Sequence, residues 1–135
     1  MRRRIGRSAV PQSPSIAAPC VLVLEEDREL GSALRFSLAF EGYRVETFDA
    51  PSTFLERLPG APFDAVIVGQ SPPTIDAFEL LEPLRHRAPS APILLTATNP
   101  THALRRRARQ QRLVLIEKPL LGDGLVEALG TALGG

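Results

Sequence analysis

The sequence predicts an α/β protein, a five-stranded parallel sheet covered on both faces by helices. Two observations carry the prediction. Short runs that are apolar on both sides alternate five times with amphipathic segments, joined by short, turn-rich links. Strand–helix–strand crossovers are right-handed, which winds such a chain over both faces of one sheet.

Each element has its own signal. Cys20-Val21-Leu22-Val23-Leu24 is apolar on both sides and stops at Glu25-Glu26-Asp27, as a central parallel strand does. Asp27 can cap the helix that follows. In that helix Leu30, Leu34 and Leu38, flanked by Ala33 and Phe40, form the expected core stripe, and Gly42 ends it. Tyr43 to Phe48 alternates as a strand. Pro51 suits the first turn of a short helix with Phe54, Leu55 and Leu58 inward, ended by Pro59-Gly60. Phe63 to Val68 reads as the third strand and Gly69 to Ile75 as a loop. Asp76 starts a helix with Phe78, Leu80, Leu81 and Leu84 apolar. Ile93 to Leu95, running into Thr96, reads as the fourth strand. Pro100 to Gln110 is a helix, Leu113 to Ile116 the fifth strand, and Leu121 to Leu133 the last helix.

Residues 1–19 are rich in Arg, Pro and Ser, have no period, and are expected to be a disordered leader. Residues 20–135 are expected to form one domain. At 135 residues, with 44% apolar and 23% charged residues, the chain has the balance of a soluble single-core protein. Arg2, Arg3, Arg4 and Arg7 lie in the leader without an acidic neighbour. Without them, twelve basic residues face fifteen acidic ones, so the body carries −3. A mildly acidic body argues against nucleic-acid binding, which is left to the leader at most. The single Cys20 excludes an internal disulfide. No apolar run approaches the length of a membrane span or forms a signal peptide, so a cytoplasmic location is expected.

In doubly wound sheets the site lies at the carboxyl ends of the strands. Those ends hold Glu25, Glu26, Gly69, Thr96 and Lys118. An acidic pair after strand one, Leu94-Leu95-Thr96-Ala97 after strand four, and Ile116-Glu117-Lys118-Pro119 on strand five keep a joint order and spacing. Over residues 20 to 133 this resembles a response-regulator receiver domain, nearest the nitrogen-fixation branch. The resemblance implies a flavodoxin-like (βα)5 doubly wound fold with strand order 2-1-3-4-5, and a cis peptide before Pro119.

The resemblance places the family's phosphoacceptor aspartate at Gly69, which has no side chain to attack phosphorus. Asp64 lies at the far end of its strand and Asp76 in the next helix, so neither is expected to substitute. The resemblance also places the family's switch aromatic at Leu115. The pocket is therefore read as a degenerate phosphorylation site, with Glu25 and Glu26 a solvated pair, one of which Lys118 neutralises. Magnesium, which demands near-ideal octahedral oxygen geometry, is expected to bind weakly or not at all, and no cofactor is expected.

The expected function is an atypical receiver in phosphorelay signal transduction, not an enzyme. It would act without phosphorylation, as a protein-interaction or dimerisation module. Output is expected through protein contacts, unless the chain is a fragment of a longer one. Arg105, Arg109 and Arg112, sharing one helical face, and Leu115 are the candidate contact residues for a signalling protein or a second copy. They lie on the face of helix four, strand five and helix five. His86 and His102 lie on polar stretches with no nucleophile placed beside them, so a hydrolase triad has no support. The alternative is a flavodoxin-like binder taking a nucleotide or small ligand in the open space over Gly69.

Overall fold

A computed structural model describes residues 18–120 and 123–134. Residues 1–17 of the expected leader 1–19, its arginines among them, and the expected helix start at Leu121 lie outside the described residues. The elements are β1 (Cys20–Leu24), α1 (Arg28–Phe40), β2 (Arg44–Phe48), α2 (Pro51–Arg57), β3 (Ala65–Gly69), α3 (Leu81–Arg87), β4 (Ile93–Thr98), α4 (His102–Gln110), β5 (Val114–Lys118) and α5 (Gly124–Ala132). All strand pairs are parallel, in the order β2-β1-β3-β4-β5. This is the doubly wound fold expected.

Strand alternation divides the core. Cys20, Leu22, Leu24, Val66 and Val68 face Phe54, Leu58, Leu80, Leu81, Leu84 and Ala108 of the α2–α3–α4 layer. Val21, Val23, Ala65 and Ile67 face Leu34 and Leu38 of α1 and Leu125 and Leu129 of α5. Both β1 and β3 are wholly buried, as their two-sided apolar composition requires. Asp27 caps α1, its carboxylate accepting from the amides of Glu29 and Leu30. Arg57 donates to Glu46 at 2.6 Å and ties α2 to β2. Hydrogen bonding to Arg57 holds the Glu46 carboxyl below the ordinary range.

Several expectations are corrected. Ala33 is exposed and Phe40 is 83% exposed, so the buried face of α1 is Gly31, Leu34 and Leu38 with Leu30 half-buried. Leu55 is exposed, leaving Phe54 and Leu58 as the buried residues of α2 and its cap. Asp76 caps a 3₁₀ turn, Ala77–Leu80, before α3 begins. Pro83 explains the break, because it has no N–H to continue an α-helical ladder from residue 79. β3 begins two residues later than its apolar pattern and includes Gly69. Strands β4 and β5 run on to Thr98 and Lys118, past their apolar runs. Arg112 lies beyond α4 with φ 61°, in the left-handed turn that ends the helix, so it does not share a helical face with Arg105 and Arg109.

Candidate functional site

Parallel pairing brings the strand ends into one layer. Leu24 is level with Val68, Gly69 with Thr96, and Thr98 with Lys118. One further step along the β1–β3 register sets Glu25 beside Gly69. The Glu25 amide donates to the Phe48 carbonyl at 2.9 Å, which continues the pairing with β2 and aims the side chain over the sheet's end.

The acidic pair does not behave as a pair. Glu25 is only 5% exposed, whereas Glu26 is exposed and accepts from the Ser71 hydroxyl at 2.8 Å. Both Glu25 oxygens are engaged. Oε1 lies 2.9 Å from Lys118 Nζ, and Oε2 accepts from the Asp27 amide at 2.9 Å. The solvated pair read from the sequence is therefore corrected for Glu25. Its charge has left water and is balanced by Lys118, whose side chain is 19% exposed.

The second correction concerns the space over Gly69. A Cβ on Gly69 would lie 2.4 Å from Glu25 Oε1, 3.1 Å from Glu25 Cδ and 3.4 Å from Thr96 Oγ1. That space is not open, because Glu25's carboxylate fills it. Neither Asp64 nor Asp76 reaches it. Asp64 accepts from the Cys20 amide at 2.7 Å at the opposite end of the sheet, and Asp76 accepts from Gln70 Nε2 and the Phe78 amide, both at 3.1 Å. The small-ligand alternative thereby loses its room above Gly69. A cleft of about 330 Å³ does open beside Glu25, between α1 and the β2–α2 turn, with Arg28, Thr47 and Asp49 in its wall.

Thr96 is buried and its hydroxyl makes no hydrogen bond among the described residues. Lys118–Pro119 and Pro72–Pro73 are cis peptides, the first as the resemblance implies. Leu115 is half-buried against the α2–α3–α4 side of the core. Of the arginines, Arg105 pairs with Glu117 of β5 at 3.0 Å, and Arg107 lies 4.0 Å over the Phe78 ring. Arg106 and Arg109 remain exposed on α4. Cys20 is buried, and burial first, then the Glu46 charge, pushes its thiol above the ordinary range.

Sequence reasoning missed the residues that close the rim. The Gln70 side chain donates to Asp76 and accepts from the Ala77 amide at 2.7 Å, and Ser71 and Ile75 exchange backbone bonds. With Ser71 on Glu26, the β3–α3 loop is tied across to the β1–α1 turn. Gln70 and Ser71 do carry polar side chains directly after an apolar strand, and that is the signal that could have found them.

Magnesium does not fit this arrangement. Among the described residues no three His, Cys, Asp or Glu side chains converge as a metal site. Glu25 spends its oxygens on Lys118 and a backbone amide, and Glu26 points toward Ser71.

Comparison with known proteins agrees with the fold. The family model "Response regulator receiver domain" matches residues 21–130. The transcriptional regulatory protein QseB of Haemophilus influenzae is 30% identical over 81 residues, 60% of this chain and 37% of its own length. The response regulator MprA of Mycolicibacterium vanbaalenii is 33% identical over 75 residues, 56% of this chain and 32% of its own. The chain thus spans about a third of the length of these curated relatives. Among solved structures, a CheY-like receiver domain protein from Methanospirillum hungatei superposes with TM-score 0.79 at 19% identity, over 87% of this chain and 95% of that one. Full-length FixJ from B. japonicum gives 0.76 at 28% identity, over 86% of this chain and 58% of that one. With its strand order, its strand-end residues and a family match over nearly all of its sheet, the chain belongs to the response regulator receiver domain family.

Proposed function

We propose that this domain is an atypical receiver in phosphorelay signalling, one that works through protein contacts without being phosphorylated. The observation that carries the reading is the Glu25–Lys118 ion pair lying over Gly69. A receiver reads the charge state of this pocket. Here the acceptor position has no side chain, and the lysine already holds a buried carboxylate. Both Glu25 oxygens are bonded and the group is 5% exposed, so it is a poor nucleophile toward an incoming phosphoryl group. Incubation with acetyl phosphate and magnesium, followed by intact mass measurement, should show no phosphoryl adduct on this chain. A stoichiometric, acid-stable or hydroxylamine-labile adduct on Glu25 or elsewhere in the pocket would overturn the reading.

The partner is a signalling protein or a second copy, met through α4, β5 and α5. Arg106 and Arg109 give this face exposed positive charge, while Arg105 is already neutralised by Glu117. The contact is therefore expected to weaken with salt. Sedimentation equilibrium tests the second-copy form. Arg106→Glu/Arg109→Glu should weaken self-association at least tenfold, and an unchanged constant would remove α4 from the interface. The nitrogen-fixation branch is the assignment favoured by Ile116-Glu117-Lys118-Pro119 and by the 28% identity to FixJ. A cytoplasmic location fits this reading, and among the described residues no helix is long and apolar enough to cross a membrane.

A further inference from the structure

We propose that Glu25 is an internal ligand of Lys118 and that Gly69 is glycine because Glu25 needs the room. The inference rests on the reading of a receiver that does not use phosphorylation, and it assigns the residue that closes the pocket. Backbone conformation does not call for glycine at position 69. The residue is the last of β3, fully buried, and the described glycines with positive φ are Gly42 and Gly134. Glycine inside a strand is otherwise a cost, since it packs nothing and loses the most conformational freedom on folding. What position 69 lacks is space. Any side chain there begins 2.4 Å from Glu25 Oε1, well inside van der Waals contact.

Oε1 is the end of a jointed side chain, and such an atom can often move aside. This one is held from two directions, by Lys118 Nζ at 2.9 Å and, through Oε2, by the Asp27 amide at 2.9 Å. It is also closed in, at 5% exposure. A Cβ at 69 requires Glu25 Oε1 to shift, which disturbs its pairing with Lys118 and the Asp27 amide together. Gly69, Glu25 and Lys118 therefore form one unit drawn from β3, the end of β1 and β5. The glycine admits the carboxylate, and the carboxylate holds the lysine.

A thermal double-mutant cycle in the full chain tests the coupling. In the wild-type background Gly69→Ala should lower Tm by about 5 °C, the scale of a 1 kcal/mol loss in a domain near 100 residues. In a Glu25→Ala background the same substitution should leave Tm unchanged or raise it, because alanine removes freedom from the unfolded chain without meeting the carboxylate. Should Gly69→Ala unfold the wild type outright, folding of the Glu25→Ala/Gly69→Ala chain supports the proposal equally. Equal losses in both backgrounds, no loss in the wild type, or failure to fold in both would overturn it. A phosphoryl adduct on the wild type would instead sink the phosphorylation-free reading and leave the cycle's outcome unaffected.

Discussion

Lys118→Ala is expected to cost about 3 kcal/mol of folding stability, read as a lower urea midpoint at pH 7. The substitution strands the Glu25 carboxylate, which is 5% exposed and keeps only the Asp27 amide as a partner. Removing one member of a buried ion pair typically costs about 3–5 kcal/mol, because the remaining charge keeps its desolvation penalty. The low end applies, since the Lys118 side chain is 19% exposed and water can enter where it stood. Replacing both partners by neutral groups, as in Glu25→Gln/Lys118→Met, should recover much of the loss, because no charge is then left buried. A solvated, independent pair would behave differently: Lys118→Ala would then cost under about 1 kcal/mol, and the two substitutions would add. That result would contradict the buried geometry on which the closed pocket depends.

Much of the fold was legible because its signals are local. β1 and β3 are apolar on both sides and are buried on both sides. Asp27 stands where its cap was expected and accepts from the amides of Glu29 and Leu30. Phe40 is excluded from the stripe by helical geometry. At about 100° per residue it lies roughly 200° around the helix from Leu38, on the far side from the stripe. The ends of β4 and β5 were not legible, because Ala97 pairs with Glu117 and Thr98 with Lys118 through backbone groups that leave no mark on side-chain pattern. The strand-end residues of the pocket were found from topology. Their relationship was not, because Glu25 and Lys118 are 93 residues apart and their meeting depends on the register across β1, β3, β4 and β5. A glycine at the end of one buried strand and a glutamate directly after another were the available hint.

Phe54→Ala is expected to cost about 4 kcal/mol, the largest single loss among these predictions. Phe54 is fully buried and is the largest such side chain in the core. Truncating a buried phenylalanine removes its transfer free energy and leaves a cavity, together about 3–5 kcal/mol. The loss reaches the site along a short route. The Phe54 ring meets Phe48 edge-on, with centroids 5.8 Å apart and planes at 74°. The Phe48 carbonyl in turn receives the Glu25 amide at 2.9 Å, so the strand end that launches Glu25 leans on this ring pair. Urea titration should show the midpoint fall with an unchanged slope, as for a loss of stability without a change in the surface exposed. Hydrogen exchange at the Glu25 amide should quicken beyond what the global loss explains. A cost under about 1.5 kcal/mol would mean that α2 settles inward and refills the space, since the penalty depends on how far a site collapses. In that case Glu25 would owe its position to Lys118 and Gly69 alone, and not to the packing beneath β2.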